Sequence, residues 1–314
     1  MVVGTHALIE SEVQFANLGL VIVDEQHRFG KRQRELLRAK GRGRPHFLAM
    51  TATPIPRTLA LALYGEMSMS VIDQLPPGRT PIETQVIDAD QRAEAYALVR
   101  REIEKGHQAF VICPLIDESE ALAARSAVKE AERLRNEVFP DLRLELIHGR
   151  LKDKDRVMER FAAGEVQVLV ATAVVEVGVD VPNATVMMIE GADCFGLAQL
   201  HQFRGRVGRG PAKSYCLLLS DSSDEVERLR LMTAIDNGFQ LAEEDLRLRG
   251  MGELMGQKQH GHRTDLGMRV LLTPELLSEA REEAERTLRA DPTLESNPPL
   301  KMRVDEIIEA ASIS

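Results

Sequence analysis

From residue 91 to 219 the chain alternates short apolar runs with helical ones. Residues 91–105 (QRAEAYALVRREIEK) have a helical period and 108–113 (QAFVIC) read as a strand. Residues 118–137 read as a long, charged, Ala-rich helix, 142–147 (LRLELI) as a strand and 152–162 as a helix. Strands follow at 166–171 (VQVLVA) and 185–189 (TVMMI), then a helix at 196–203 and a strand at 214–219 (SYCLLL). Apolar strands separated by helices imply βαβ units, and so an α/β fold of parallel sheets with flanking helices. Upstream, 18–23 (LGLVIV) and 46–50 (HFLAM) read as two further strands around a basic, helix-competent run, KRQRELLRAK. PPGRTP at 76–81 breaks helix and strand alike and reads as a linker. Beyond 220 the pattern turns helical, near 223–235 and 238–248, and passes into the Gly-rich GMGELMGQKQHGH. Thr273-Pro274-Glu275 then looks like a capped helix start with Pro at the first helical position. The expected division is 1–75, a linker at 76–81, 82–220, and a mostly helical segment at 221–314.

In such sheets ligands sit beyond the carboxyl ends of strands, which is where Asp24, Thr51, His148 and Thr172 fall. In VIVDEQHRFG (21–30) an apolar strand runs into Asp24 and Glu25. Asp24 suits a magnesium ion and Glu25 an attacking water, which is most of what phosphoryl transfer asks of side chains. An acidic loop is the alternative. TATPIPRT (51–58) is a polar loop stiffened by prolines, able to sense a phosphate or to serve as an ordinary turn. In VLVATAVVEVGVDVPNA (168–184), Gly178 permits close backbone approach and Asp180 can meet a ribose or hold its own loop. QFRGRVGRG (202–210) is the most specific stretch. Arg206 and Arg209, spaced i, i+3, project from one side if helical and suit the role of arginine fingers. Gly205 to Gly210 has phosphate-loop spacing, yet Pro211 and Ala212 follow, and GxxxxGK[ST] occurs nowhere in the 314 residues.

The formal charge of −9 argues mildly against nucleic acid. Basic residues are concentrated, however, at 28–46 and from Arg204 to Lys213, and local patches bind phosphates whatever the total. Cys113, Cys194 and Cys216 stand apart without a CxxC pair, which disfavours a zinc site and suits a reducing compartment. Most histidines are assigned non-metal roles. No apolar run reaches membrane-span length, and the first residues do not resemble a signal sequence.

Taken in order, GTHALIE (4–10), DEQHRFG (24–30), TATPIPRT, the Thr172–Asp180 segment and QFRGRVGRG resemble the later motifs of superfamily 2 helicases. Together with DLRLRGMGELMGQKQHG (245–261) they look like the RecG-type family of ATP-dependent DNA helicases. The resemblance implies two RecA-like domains with ATP and Mg²⁺ between them. It implies Glu25, Gln202, Arg206 and Arg209 as catalytic, and Asp24, Gly178 and Asp180 as nucleotide-facing, Asp24 through the metal. It implies Thr51, Thr53, His27, Arg249 and Gln259 in coupling, and Gly4, Thr5, His6, His148 and Thr172 near DNA. Expected partners are ATP and branched duplex DNA such as stalled forks and Holliday junctions, in repair and recombination. The expected protein is a monomer in the cytoplasm, associated with the nucleoid and not with a membrane. The chain would start inside the first motor domain and by itself hydrolyse ATP negligibly. A transcription-repair coupling translocase has a similar motor and tail, and a non-enzymatic DNA- or protein-binding remnant is the alternative from another class.

Overall fold

The computed structural model describes residues 1–26, 29–41, 43, 45–52, 67–72, 74, 76, 79–114, 120–149, 151, 153–172, 180–222, 226–249 and 274–313. Eight strands are described: β1 Leu20–Val23, β2 His46–Ala49, β3 Ile82–Ile87, β4 Gln108–Ile112, β5 Leu144–Ile147, β6 Val168–Ala171, β7 Ala184–Ile189 and β8 Ser214–Leu219. The described helices are α1 Lys31–Ala39, α2 Arg92–Glu104, α3 Glu120–Arg133, α4 Lys154–Ala162, α5 Leu197–Arg204, α6 Val226–Ala234, α7 Gly238–Arg249, α8 Pro274–Ala290 and α9 Pro298–Ile313.

Strands β3 to β8 form one parallel sheet in the order β3-β8-β7-β4-β6-β5. Its central strands are apolar along their length because both faces are covered. On one face Phe110, Leu169, Met187 and Leu218 pack against Phe161 of α4, Leu197, Leu200 and Phe203 of α5, and Leu229 and Met232 of α6. On the other, Val111, Val170, Met188 and Leu217 meet Leu98, Val99 and Ile103 of α2 and Ala127 and Ala131 of α3. All seven strands expected from the sequence are present. The eighth, β3, is an edge strand of sequence IETQVI, only half-buried. Water on one side lets polar residues alternate with apolar ones, so the apolar run that marks central strands is missing. The long helix expected at 118–137 ends as α3 at Arg133 and continues as a π-helical turn, Leu134–Val138.

Strands β1 and β2 form a separate parallel pair. Val21 and Val23 pack on Leu37 of α1, while Leu20, Ile22 and Leu48 are exposed on the other face. The chain divides into two compact units, Met1–Pro54 with Asp73–Asp245, and Ile55–Ile72 with Leu246–Ser314. In the second unit, helix α8 begins at Pro274 as expected. A turn closed by Asp291 links it to α9, with Asp291 Oδ2 accepting from the Ser296 amide at 2.7 Å. Hydrogen bonds from Ser296 hold the Asp291 carboxyl down at about 2. No described helix is long and apolar enough to cross a membrane.

Phe161 is fully buried and packs against Phe110 of β4, ring centroids 4.8 Å apart and planes inclined by 60°. Phe161→Ala is expected to cost about 3–5 kcal/mol through lost burial and the cavity left behind. The fall in the urea unfolding midpoint measures it.

Candidate nucleotide and nucleic-acid interface

Register brings the first two motifs together. β1 and β2 run in parallel, Leu20 opposite His46 through Val23 opposite Ala49, so their carboxyl ends deliver Asp24 and Thr51 side by side. The Met50 amide donates to the Val23 carbonyl at 2.8 Å and the Gln26 amide to the Met50 carbonyl at 3.0 Å. Asp24 Oδ1 accepts from the Glu25 amide at 2.8 Å. Glu25 has φ of 49°, a left-handed conformation that costs a residue with a Cβ about 1–3 kcal/mol. The strain falls on the residue expected to handle water. The ring of His6 stacks on Phe29, centroids 4.3 Å apart and planes 13° from parallel. GTHALIE and DEQHRFG therefore meet, with Gly4 and Thr5 exposed at the head of a 3₁₀ turn, His6–Ile9.

In the six-stranded sheet His148 and Thr172 follow β5 and β6, whose last residues Ile147 and Ala171 are register partners. The Thr172 amide donates to the Ile147 carbonyl at 3.3 Å. Thr172 is buried, and its hydroxyl has no hydrogen-bond partner among the described residues.

The arginine loop differs from the helical expectation. Helix α5 ends at Arg204, where the Gly205 amide closes on the His201 carbonyl at 3.0 Å. Arg206 and Arg209 thus lie in the turn that leads into β8 rather than on one helical face. The loop stands at the amino ends of β7 and β8, at the opposite end of the sheet from His148 and Thr172. Its glycines serve packing. A Cβ on Gly208, whose φ is +73°, would stand 2.8 Å from Ile82 Cγ1, and one on Gly210 would stand 2.6 Å from the Pro182 carbonyl oxygen. Only a residue without a side chain lets the backbone come so close. Pro182 belongs to the segment before β7, and the same approach unites two motifs: Arg209 Nη1 lies 3.3 Å from Asp180 Oδ1. Arg209 Nε also donates to the Gly205 carbonyl at 3.3 Å. Asp180 is well exposed and the Arg209 side chain partly so, and this ion pair therefore contributes little to stability. Gln202 and Arg206 are half-buried.

Three arginines here were not singled out from the sequence. Arg204 counts there as part of a basic run, yet its side chain is almost wholly buried. It donates to the carbonyls of Met232, Ile235 and Asp236 at 2.8, 3.2 and 3.1 Å, which lie where helix α6 ends and leaves its last acceptors without intrahelical partners. It also donates to His201 Nδ1 at 3.0 Å. Burial, and then the Arg204 charge, push the His201 pKa down to about 4, so the ring is neutral at pH 7. Arg228 of α6 donates to the Asp193 and Phe195 carbonyls, each at 2.8 Å. Arg79, in the segment read as a linker, donates to the Gly205 carbonyl at 2.9 Å. The available signal for Arg204 was its place between Phe203 and Val207, both buried. His27, Thr53, Gly178 and Gln259 lie outside the described residues, as does the side chain of Arg249, the last residue of α7.

Two family models match: the helicase conserved C-terminal domain over residues 91–211, and the C-terminal part of domain 3 of the ATP-dependent DNA helicase RecG over 235–307. The chain is 52% identical over 309 residues to the ATP-dependent DNA helicase RecG of Synechocystis sp., covering 97% of this chain and 37% of that protein. The chain belongs to the RecG-type helicase family. It is 54% identical over 265 residues to the RecG of Thermotoga maritima, covering 83% of this chain and 34% of the relative. It thus spans little more than a third of these relatives' length. A structure of RecG bound to a three-way DNA junction matches with a TM-score of 0.68 and 44% identity, over 92% of this chain and 35% of that one. Mss116p bound to single-stranded RNA and AMP-PNP, 18% identical with a TM-score of 0.55 over 73% of this chain and 49% of its own, shares the RecA-like fold.

Two outcomes test this geometry. Gly208→Ala is expected to destabilise by about 1–3 kcal/mol, while Gly205→Ala, at negative φ with its nearest contact at 3.5 Å, stays nearly silent. Equal urea midpoints for the two would refute the packing role. The second concerns pH. A histidine whose folded pKa lies near 4, below its ordinary 6.5, binds fewer protons folded than unfolded between those values. Its contribution is present above pH 6.5 and is lost as pH falls toward 4. His201→Gln keeps an acceptor for Arg204 without a titrating ring. The melting temperature of this variant should therefore fall less between pH 6.5 and 4.5 than that of the unaltered chain.

Proposed function

We propose that this chain is part of an ATP-driven helicase that remodels branched DNA, comprising the end of one RecA-like motor domain (1–75), a linker (76–81), a second motor domain (82–220) and a coupling segment (221–314). The observation that carries the reading is the 44% identity to a junction-bound RecG structure across 92% of this chain. ATP with Mg²⁺, when bound, supplies the phosphoryl group and a charge that must be neutralised during its transfer.

The donor set suits that ligand in part. Asp24 offers a carboxylate at a strand end, where it would hold the metal, and Glu25 is held beside it to orient and polarise water. Among the described residues the charge partner of Arg209 is the exposed Asp180, so a phosphate would replace that carboxylate at small cost. Arg206, from the same loop, would add a second cation. The GxxxxGK[ST] cradle for the β- and γ-phosphates is not among the 314 residues. His6, His148 and Thr172 are placed at strand ends or on the neighbouring turn, where contacts to a DNA backbone would be salt-sensitive and weakly sequence-specific.

The test uses the chain alone and a chimera in which it replaces the matching 309 residues of the Synechocystis relative. The chain alone is expected to show negligible ATP turnover, and the chimera turnover stimulated by forked DNA. In the chimera, Arg209→Ala and Glu25→Gln should each lower turnover by about 10²-fold or more while ATP still binds. A chimera inert toward ATP and forked DNA, or an Arg209→Ala chimera with unchanged turnover, counts against the reading.

A further inference from the structure

The segment read as a linker does not merely pass the arginine loop; it is fastened to it. Arg79 Nη2 donates to the Gly205 carbonyl at 2.9 Å, the same oxygen that accepts from Arg209 Nε at 3.3 Å. That carbonyl belongs to the peptide joining Gly205 to Arg206. Three residues on, Gly208 lies flush against the same stretch. The position of a Cβ there is 2.8 Å from the Ile82 side chain and 3.7 Å from the Thr80 carbonyl. Register explains the proximity. The linker runs into β3 and the arginine loop into β8, and these are paired from Ile82 opposite Ser214 onward. Segments 79–82 and 205–214 therefore lie side by side by construction.

Pro81 has a fixed φ and holds Thr80, the residue before it, to extended backbone. The short stretch between Arg79 and β3 is therefore stiff, and a rotation there passes to whatever Arg79 holds.

We propose that Arg79 is a positioning residue that pins the Arg206–Arg209 loop to the linker, so that a change in linker conformation changes where the two arginines point. The tether itself rests on the geometry above; its consequence for turnover rests on the reading of Arg206 and Arg209 as phosphate-facing. Arg79 contacts neither nucleotide nor metal in this scheme. It acts through the Gly205 carbonyl, and its guanidinium fork suits that geometry in a way a lysine ammonium does not.

Hydrogen exchange of the 314-residue chain tests the tether. The Arg206 and Val207 amides donate to the Phe203 and Arg204 carbonyls at 2.9 and 3.3 Å. In Arg79→Ala, peptides spanning 205–209 are expected to exchange about fivefold faster, the effect of one lost hydrogen bond. Peptides of β8 should change less, the melting temperature should fall by no more than about 2 °C, and Arg79→Lys should be intermediate. Unchanged exchange at 205–209, or faster exchange everywhere, overturns the tether. In the chimera, Arg79→Ala should lower kcat at least about fivefold with the KM for ATP unaltered. An unaltered kcat overturns the positioning role even where exchange has changed. An inert unsubstituted chimera instead defeats the functional reading, and with it the consequence for turnover, while the exchange result still decides the tether.

Discussion

Pairing of β8 with β7 on one side and β3 on the other decides the architecture of the arginine loop. All three strands are parallel, so their amino ends gather at one end of the sheet. The segments that enter them gather too: 79–81 before β3, Asp180 to Asn183 before β7, and Gly205 to Lys213 before β8. The ion pair of Arg209 with Asp180 and the hydrogen bond from Arg79 to the Gly205 carbonyl are consequences of that pairing. Glycines at 208 and 210 permit it, since a side chain at either would strike Ile82 or the Pro182 carbonyl.

A sheet with candidate site residues at both ends follows. His148 and Thr172 stand at its carboxyl end, on adjacent strands. The arginine loop stands at its amino end. Helix α5 runs the length between, coming from the carboxyl end of β7 and delivering the loop to the start of β8. A small shift of this buried helix would be felt at both ends, because close-packed interiors transmit displacement rather than absorb it. One polar anchor of α5, Arg204, is nearly as buried as the apolar ones. Arg204 occupies the carbonyls at the end of α6, and a neutral His201 accepts from it. The His201 ring also lies where a Cβ on Gly238, the first residue of α7, would stand 2.7 Å from Nε2. The loop that carries Arg206 and Arg209 therefore begins from a fixed point.

Most of the fold could be read from the chain because central parallel strands are buried on both faces and must be apolar throughout, as VQVLVA and SYCLLL are. The edge strand IETQVI escaped that rule because one of its sides faces water. The strand-end positions of the candidates Asp24, Thr51, His148 and Thr172 were legible for a related reason: a polar residue ending an apolar run is visible in one dimension. Arg79 was not, since its partner is 126 residues away and a lone arginine in a proline-rich segment looks like a solvated one. Nor was the burial of Arg204, hidden within a basic run.

By itself the sequence determined the α/β class, the order of the motifs and the chemical types available to the site, because hydrophobic period and residue identity are local properties. Only the tertiary structure decided which of those residues meet. Strand register placed Asp180 against Arg209 and Arg79 against Gly205, close backbone approach explained the glycines, and the end of α5 at Arg204 put Arg206 and Arg209 in a turn. Each of these depends on hydrogen bonds and contacts between segments far apart in the chain, and no local pattern records them.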